Sequence, residues 1–501
     1  MNTRAAALAG LQEQVWDLLI IGGGSTGLGA AIDAISRGYR TLLLEQSDFA
    51  KATSSRSTKL IHGGVRYLQQ GNLSLVRESL HERGLLLRNA PDFVHPLEFV
   101  IPARSWMEKL YYGAGLKAYD LLAGKLGMQR SQLLSLAETR HRLPALKTQG
   151  LAGGVSYFDA QFDDARLAVG LAHFITQQGG TALNYVRVTS LQKERGKVCG
   201  VEAVDGETGD SYRIAAKAVI NATGIFSDEI RSMDDVSSEP TLALSQGAHI
   251  VVDRRYCPGK TAMIIPKTDD GRVLFIIPWL GATLIGTTDI PVKAPLLEPH
   301  PLYDEIEFLI DHANRYLSQP LGRSDIRSCF AGLRPLVKAP SASATSQISR
   351  DHVIRVADSG LISISGGKWT TFRRMGADVV ATAMRVAGLP QQPSRTETLP
   401  IHRDATESPS DRNEVSVPQD DFVRHCVRAL HARTVEDVLA RRSRLLFLHA
   451  SEALRHAPHV AHLLAEELHQ DEHWVATQIE EFRETARNFL PVSSNAPAPS
   501  P

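Results

Sequence analysis

The sequence has few cysteines and no excess of charge of either sign, and each absence argues against a class of protein. Its four cysteines (Cys199, Cys257, Cys329 and Cys426) lie far apart, without C-x-x-C or zinc-type spacing. This disfavours a disulfide scaffold and is what a reducing cytosol permits. The 55 basic and 55 acidic side chains give a formal net charge of zero. That balance argues against nucleic-acid binding as the main task, because phosphate neutralisation needs a basic excess.

Long apolar runs are also missing. The longest, residues 273–286, is interrupted by Pro278 and Gly281, and it is shorter than the about 20 residues that a membrane-spanning helix needs. Residues 1–14 lack the apolar core of a signal peptide. The sequence therefore predicts neither a spanning helix nor a signal peptide, and it leaves peripheral membrane attachment open.

What is present is the composition of a folded protein: 501 residues, 43% of them apolar. At about 100–200 residues per domain, this length predicts two or three domains. Residues 16–21 predict a buried parallel strand, residues 25–37 a helix that ends at Gly38, and residues 40–45 a second buried strand. Further strands are predicted at 198–204, 215–220, 249–252, 273–277, 283–285 and 361–364, and further helices at 73–89, 164–178 and 303–317. This order predicts an α/β fold that opens with a doubly wound, Rossmann-like sheet and carries a second sheet in its middle third.

A glycine-rich turn follows the first predicted strand. Gly22, Gly24 and Gly27 form G-x-G-x-x-G, with Ser25 opening the helix. The first glycine suits a tight turn, the second lets the backbone approach a pyrophosphate, and the third lets the helix pack on the strand. Glu45 ends the second strand, where its carboxylate would accept hydrogen bonds from a ribose hydroxyl. Together these features predict a dinucleotide site rather than an ordinary glycine turn; the acid disfavours NADP but does not separate FAD from NAD.

A hydroxyl-rich loop follows the second strand. In residues 53–67, serines and threonines precede a lysine, a glycine pair and the dipeptide Arg66-Tyr67. Hydroxyls and backbone amides of this kind suit the phosphates and the pyrimidine edge of a flavin. The composition alone is equally typical of a solvated loop.

Together with later motifs, this loop resembles the signature of the FAD-dependent, quinone-linked glycerol-3-phosphate dehydrogenase family. The later matches, in order, are N-A-T-G at 221–224 with Asp228, G-T-T-D at 286–289, G-L-R-P-L at 332–336, S-R-D at 349–351 and G-G-K-W-T-T-F-R at 366–373. The resemblance covers about residues 15–385, with a helical domain of the expected type after it. Ile225 and Phe226 stand where the family often has Pro-Trp, a departure that concerns local packing.

The resemblance implies FAD as the cofactor and no metal site. The residues expected to bind FAD are Gly22, Gly24, Ser25, Gly27, Glu45, Thr53, Ser54, Ser55, Ser57, Lys59, His62, Gly63, Ala222, Thr223, Gly224, Gly367, Lys368 and Thr370. A helix predicted to start at Thr370 would direct its N-terminus at the flavin. Such a dipole stabilises negative charge on the reduced ring by about 0.3–2 kcal/mol; capping the helix is the simpler role for the glycines before it.

The resemblance also implies where the chemistry lies. Oxidation of a secondary alcohol on a phosphorylated triol needs cations for the phosphate, a base for the hydroxyl proton, and a carbon-bound hydrogen facing flavin N5. Any single arginine is more often a surface salt bridge, but the family places four cations at the phosphate. In this sequence they are Arg66, Arg334, Arg350 and Lys368.

Two histidines compete for the role of base. His249 opens a strand in the inserted domain and matches the family's proposed base. Without the resemblance, its position would indicate only an ordinary histidine at the end of a strand. His62 is the rival, but it falls in the flavin loop and is expected to position the cofactor. Tyr67, beside Arg66, is expected at the phosphate or the flavin.

Domain boundaries follow from these assignments. An FAD-binding domain is predicted at 15–90, 150–235 and 355–388, and a mixed-sheet substrate domain inserted in it at 91–149 and 236–354. A linker (389–419), a helical C-terminal domain (420–490) and a disordered tail (491–501) complete the chain. Within the insertion, residues 104–122 mix aromatic, aliphatic and basic side chains, a pattern typical of a helix on an anionic membrane or of a core helix with snorkelling lysines.

The sequence thus predicts a flavoenzyme that oxidises sn-glycerol 3-phosphate to dihydroxyacetone phosphate, with hydride passing to FAD N5. The resemblance implies a membrane quinone as acceptor and a cytoplasmic enzyme held peripherally on the inner-membrane surface, and it leaves a homodimer open. Three alternatives remain: an amino-acid or hydroxy-acid oxidase on the same fold, a glycerol-3-phosphate oxidase that uses oxygen, and a non-catalytic FAD-binding redox sensor. An acid oxidase would need one arginine for a carboxylate rather than four cations.

Overall fold

The computed structural model describes residues 4–65, 72–338, 351–402 and 417–491. Within them, the strands are β1 Trp16–Ile21, β2 Thr41–Leu44, β3 Leu60–Ile61, β4 Val94–Ala103, β5 Gln132–Leu134, β6 Gly153–Phe162, β7 Thr181–Leu183, β8 Val186–Glu194, β9 Lys197–Asp205, β10 Ser211–Asn221, β11 Leu242–Asp253, β12 Thr261–Ile265, β13 Leu274–Trp279, β14 Ala282–Gly286, β15 Ile290–Val292, β16 Ile326–Val337, β17 His352–Val356 and β18 Ile362–Gly366. The α-helices span Arg4–Ala9, Ser25–Ser36, Leu73–Asn89, Trp106–Ala123, Leu136–Arg142, Asp164–Gln177, Ser227–Asp234, Tyr303–Asn314, Phe372–Val386, Asp420–Arg428, Leu445–Leu448, Ala450–Leu468 and Glu472–Arg487.

The first sheet is parallel at its centre. Its order is β17-β18-β10-β1-β2-β7, and β9 pairs with the first half of β10 and with β8. Ile20 of β1 lies between Leu43 of β2 and Ile220 of β10. Leu18 and Ile20 pack under helices Ser25–Ser36 and Phe372–Val386, while Leu19 faces the opposite apolar cluster. Burial on both faces explains why β1 is apolar from Leu18 to Ile21.

The second sheet is mixed. Its order is β15-β11-β14-β13-β12-β4-β6-β3, with β16 paired to β11 and β5 to β6. Among these pairs, β12 with β4 is parallel, and the other described pairs are antiparallel. The predicted combination of a Rossmann-like sheet with an inserted mixed sheet is thereby confirmed.

The C-terminal region is helical, as predicted. Between helices Asp420–Arg428 and Leu445–Leu448 lies a stretch of π-helix, Asp437–Arg442. The apolar residues of the C-terminal region share a core with the second sheet. The ring of Phe447 lies 4.8 Å from that of Phe330 on β16 and 4.9 Å from that of Phe489. The helical region is therefore packed against the sheet that carries His249.

Two features of the second sheet differ from the sequence expectation. The 150–235 segment does not lie wholly with the FAD-binding sheet, because β6 pairs along its length with β4. The long strands β4, β6 and β16 were not predicted, since prolines interrupt β4 and β16 and the buried polar residues Asp159 and Gln161 interrupt the apolar pattern of β6.

Residues 403–416 of the predicted linker and residues 492–501 of the predicted tail lie outside the described residues. No helix in the described part of the chain is both long enough and apolar enough to cross a bilayer.

Candidate active site

A cavity of about 1310 Å³ opens between the two sheets. One side is formed by the carboxyl ends of β1, β2, β10 and β18, and the other by residues of β11, β13 and β16. Carboxyl ends of parallel strands are where open α/β sheets bind ligands. The predicted residues that line this cavity are Gly22, Gly24, Ser25, Glu45, Thr53, Ser54, Ser57, His62, Ala222, Thr223, Gly224, His249, Arg334, Gly367, Lys368 and Thr370.

The glycine turn at the end of β1 has the geometry that a dinucleotide needs. Gly22 has φ +107°, and a Cβ there would lie 2.7 Å from the carbonyl oxygen of Ala222. Gly24 precedes the helix, and the N–H of Ser25 donates to Oγ of Ser54 at 2.9 Å. The turn thus lines the cavity directly before a helix N-terminus, an arrangement that fits the pyrophosphate of FAD.

Glu45 closes the same end of the cavity. Its Oε2 accepts from the N–H of Gly23 at 2.6 Å, and its Oε1 accepts from the N–H of Ser47 at 2.9 Å. Burial, the largest influence, raises the pKa of Glu45, while the two backbone bonds oppose that shift. Each carboxylate oxygen keeps a lone pair for a further hydroxyl donor, as a ribose would supply.

Replacing Gly22 with alanine is expected to abolish FAD binding, because the new Cβ meets backbone at 2.7 Å in a turn that cannot yield. The yellow absorbance of the purified protein measures the loss directly. Gly38→Ala is the matched control: Gly38 also has positive φ (+88°), but a Cβ there would have no atom within 4 Å. That variant should keep its flavin and lose about 1–2 kcal/mol of stability, the cost of a side chain in the left-handed conformation; loss of flavin from both variants would contradict the prediction.

Four predicted FAD residues do not line the cavity, each for a physical reason. Gly27 lets the helix approach β1, since a Cβ there would lie 1.8 Å from the carbonyl oxygen of Gly22. The N–H of Gly63 donates to the hydroxyl of Tyr119 at 2.8 Å. Ser55 is buried, and Lys59 points away from the cavity into a buried ion pair with Asp164 at 2.7 Å.

His249 lies on β11, facing the cavity. Its ring stacks on Phe330 with centroids 4.8 Å apart, and its Nε2 lies 2.9 Å from Oγ1 of Thr58. Burial, with smaller contributions from the cations Lys59 and Arg334, lowers the pKa of His249 well below 6.5. The imidazole is therefore neutral at physiological pH and able to accept a proton.

Arg334 lies on the neighbouring strand β16, with its guanidinium in the same cavity. It bonds the Asp289 carboxylate at 3.2 Å and the hydroxyl of Thr287 at 3.3 Å. Gly247, two residues before His249 on the same face of β11, leaves room for it, because a Cβ there would lie 2.3 Å from Nη2 of Arg334. The imidazole of His249 and the guanidinium of Arg334 are thus placed side by side by one strand pair.

The remaining predicted catalytic residues divide into two groups. Lys368 lines the cavity, just before the turn that begins helix Phe372–Val386. Arg66, Tyr67 and Arg350 lie outside the described residues.

Sequence reasoning missed several polar residues of the cavity, among them Thr58, Lys267 and Arg272. Thr58 contacts His249, and the cations Lys267 and Arg272 line the wall near Asp289, with Arg272 Nη1 3.7 Å from the Asp289 carboxylate. The hydroxyl-rich loop was a signal for Thr58, but nothing in the sequence distinguishes Lys267 or Arg272 from surface cations.

Comparison with known proteins agrees with this geometry. The sequence model of the FAD dependent oxidoreductase family matches residues 17–373, and that of the C-terminal domain of alpha-glycerophosphate oxidase matches residues 406–474. The mitochondrial glycerol-3-phosphate dehydrogenase of Rattus norvegicus is 37% identical, over 97% of this chain and 75% of its own length. The chain belongs to the FAD-dependent glycerol-3-phosphate dehydrogenase family. As a member it is an FAD-dependent oxidoreductase, so the predicted family, enzyme class and cofactor are confirmed.

Other members and neighbours extend the comparison. The mitochondrial glycerol-3-phosphate dehydrogenase SDP6 of Arabidopsis thaliana is 43% identical over 76% of this chain and 62% of its own. The solved glycerol-3-phosphate dehydrogenase of Bacillus halodurans, complexed with FAD, superimposes with a TM-score of 0.79 at 28% identity, over 98% of this chain and 99% of that one. The FAD-bound L-alpha-glycerophosphate oxidase of Mycoplasma pneumoniae shares the fold (TM-score 0.61, 19% identity, 78% and 99% covered).

Proposed function

We propose that this enzyme oxidises sn-glycerol 3-phosphate at C2 to dihydroxyacetone phosphate. The observation that carries the proposal is the adjacency of a buried, neutral His249 and the guanidinium of Arg334 in a cavity whose other end fits a dinucleotide. A base beside a cation, facing a flavin, is what the oxidation of a phosphorylated alcohol requires. Membership of the family and the match to the Bacillus halodurans enzyme support it.

Each residue has a proposed role. His249 accepts the proton of the C2 hydroxyl at Nδ1, which has no hydrogen-bond partner among the described residues, while its Nε2–H donates to Oγ1 of Thr58, which holds the imidazole plane. Arg334 and Lys368 bind the phosphate, together with Arg66 and Arg350 of the family motifs, and Tyr67 lies beside them. Arginine suits this task because its planar fork matches phosphate oxygens.

The cofactor residues follow the cavity. Gly22, Gly24 and Ser25 would hold the pyrophosphate of FAD and Glu45 its ribose, while residues 53–57, 222–224 and 366–370 would surround the remainder. FAD, when bound, supplies the acceptor for the two electrons and the hydrogen that leave C2.

A substrate panel under multiple turnover with a soluble electron acceptor tests the proposal against its alternatives. Glycerol 3-phosphate should be oxidised, whereas glycerol, lactate and amino acids should give at least a roughly 100-fold lower kcat/KM, as expected when a partly buried cation lacks the substrate phosphate. Turnover of a carboxylate substrate instead would indicate an acid oxidase, and no turnover with any of them would indicate a redox sensor. Stoichiometric peroxide in air, without quinone, would indicate the oxygen-using oxidase.

We further propose that a membrane quinone reoxidises the enzyme, which lies peripherally on the membrane through helix Trp106–Ala123. This helix presents an exposed apolar row: Trp106 is 68% exposed, Met107 65%, Tyr111 64% and Leu121 81%. Tyr111 also lines the cavity, as do Tyr112, Gly115 and Leu116 of the same helix. An apolar surface that continues into the active-site cavity would give a lipid-dissolved acceptor a path to it.

Charge placed on this helix should therefore remove membrane binding and leave the chemistry intact. Trp106→Glu combined with Leu121→Glu is expected to abolish co-sedimentation with anionic lipid vesicles and to lower quinone reduction roughly tenfold or more, because the apolar area that enters the membrane is lost. Turnover with a soluble acceptor should stay close to that of wild type. Val236→Glu is the matched control, since Val236 is 93% exposed but lies elsewhere; equal vesicle binding by all three proteins would contradict the membrane role.

A further inference from the structure

A buried ion-pair cluster joins the C-terminal helical region to the loop beside the catalytic base. Arg444 lies between the π-helical stretch and helix Leu445–Leu448, and it has no exposed surface. Its Nη2 lies 3.1 Å from Oδ1 of Asp164 and donates to the carbonyl of Ser55 at 3.2 Å. Asp164, equally buried, also pairs with Lys59 at 2.7 Å. Arg444 of the helical region thus bonds both the Asp164 carboxylate and the backbone of the loop at Ser55.

Asp164 in turn holds the turn formed by residues 55–59. Its Oδ2 accepts from the N–H of Ser57 at 3.1 Å and from the Ser57 hydroxyl at 2.7 Å, while Nζ of Lys59 donates to the carbonyl of Ser55 at 2.7 Å. Lys59 has φ +62°, a conformation that side-chain-bearing residues adopt rarely. Such a backbone persists only where surrounding contacts enforce it. The Asp164 carboxylate supplies those contacts.

The turn carries Thr58, and Thr58 contacts the base. Its Oγ1 lies 2.9 Å from Nε2 of His249. The Lys59 ammonium lies 5.2 Å from the centre of the Phe330 ring, which stacks on His249. A continuous set of buried contacts therefore runs from Arg444 through Asp164 and the turn to His249.

A cluster of this kind contributes little to the free energy of folding. Burying two cations and their carboxylates costs hydration free energy, and the attraction between the opposite charges offsets only part of that cost. Burial lowers the pKa of Lys59 to about 7 even with Asp164 beside it, which shows how much the desolvation costs. Buried ionic groups are best attested where they enforce one local conformation. Here the enforced conformation is the one that carries Thr58.

On the basis of the proposed oxidation at His249, we propose that Arg444 is a positioning residue: it anchors Asp164 and the 55–59 turn so that the Thr58 hydroxyl holds His249 in its reactive orientation. The C-terminal helical region thereby serves the reaction through the turn that carries Thr58. Neighbouring arginines do not share the role. Arg441 and Arg442 bond Asp48, in the loop after β2, rather than the turn beneath the base.

Anaerobic stopped-flow reduction of the holoenzyme by glycerol 3-phosphate separates the limiting rate of flavin reduction from the substrate Kd. Arg444→Met is expected to lower the limiting rate about 10- to 100-fold, the size of effect that a misplacement of about 1 Å produces. The Kd should change little, since the phosphate cations are untouched. Arg444→Lys, which keeps a cation on Asp164, should recover part of the rate.

A double-mutant cycle shows whether Arg444 acts through Thr58. Thr58→Val should lower the limiting rate by a similar factor, and the Arg444→Met/Thr58→Val double variant should be no slower than the slower single variant. Arg441→Met is the matched control: its side chain is as buried and pairs with three carboxylates of the same neighbourhood, yet it does not touch the turn. Its limiting rate should stay close to that of wild type.

The outcomes distinguish this proposal from the proposed function. Wild-type flavin that glycerol 3-phosphate does not reduce would overturn both. If wild type is reduced, then a wild-type rate in Arg444→Met, or losses that multiply in the double variant, would overturn the positioning role alone. If Arg444→Met does not retain FAD, Arg444→Lys replaces it in the cycle, since it keeps a cation beside Asp164 but cannot reproduce the forked contact with the Ser55 carbonyl; multiplying losses there would likewise overturn the role.

Discussion

Replacing His249 with asparagine is expected to lower the limiting rate of flavin reduction by glycerol 3-phosphate about 100- to 10,000-fold, the range that a positioned general base contributes. Asparagine keeps the polarity and approximate size of the side chain, but it cannot accept the proton of the C2 hydroxyl. The ring stack on Phe330 and the contact with Thr58 would be lost together with the base. Substrate Kd and FAD content should change little, because neither depends on the imidazole.

His312→Asn is a matched control for this variant. His312 is 3% exposed, similar to His249 at 2%. It lies in helix Tyr303–Asn314, where its Nε2 accepts from the N–H of Asp269, and it does not line the cavity. Its limiting rate should stay close to that of wild type. A His249→Asn enzyme that reduces its flavin at the wild-type rate would remove this residue from the mechanism.

The burial of His249 also determines how the limiting rate and the stability depend on pH. The pKa of His249 lies well below 6.5, so the imidazole stays neutral as the pH falls through 6.5, and the limiting rate should show no decline there. In the unfolded chain the same group gains a proton near its ordinary pKa. Below pH 6.5 it therefore favours unfolding increasingly, until the pH reaches the lowered pKa of the folded state. An acid limb centred near the ordinary histidine pKa in the rate profile would contradict a buried, neutral base.

The second large effect is expected for Arg334→Met. Removal of a partly buried cation from the phosphate should lower kcat/KM for glycerol 3-phosphate about 100- to 1,000-fold, which corresponds to about 2.7–4 kcal/mol of transition-state binding. The loss should be specific to the phosphorylated substrate, so the preference for glycerol 3-phosphate over glycerol should fall by a similar factor.

Arg323→Met provides the comparison for Arg334→Met. Arg323 pairs with Glu307 at 2.6 Å on the protein surface and does not line the cavity. Its kcat/KM should match that of wild type. If Arg334→Met lowered the activity towards glycerol and glycerol 3-phosphate equally, the guanidinium would support the fold of the site rather than the phosphate.

Local patterns predicted the nucleotide end of this fold well. The apolar run of β1, the glycine turn and the acid at Glu45 are close in sequence, and their geometry is set by a few neighbouring residues. Helix Leu73–Asn89 has the bounds that its pattern predicts. Prediction succeeded here because the signal and the structure are both local.

Prediction was incomplete where contacts between residues far apart in the sequence determine the position of a side chain or strand. Lys59 sits in a loop whose composition suggests phosphate binding, but its ammonium faces Asp164, 105 residues away in sequence. Strand β6 carries Asp159 in its interior, and the buried partner Arg83 makes that position tolerable. Arg444 gives no sequence signal at all, since its role depends on a turn that begins 389 residues earlier.

The visible spectrum of the purified holoenzyme during an anaerobic titration with glycerol 3-phosphate tests the proposed oxidation most directly. We expect the flavin absorbance to bleach, one dihydroxyacetone phosphate to form for each flavin reduced, and glycerol at the same concentration to leave the spectrum unchanged. Equal bleaching by glycerol, or a flavin that stays oxidised with glycerol 3-phosphate, would contradict it.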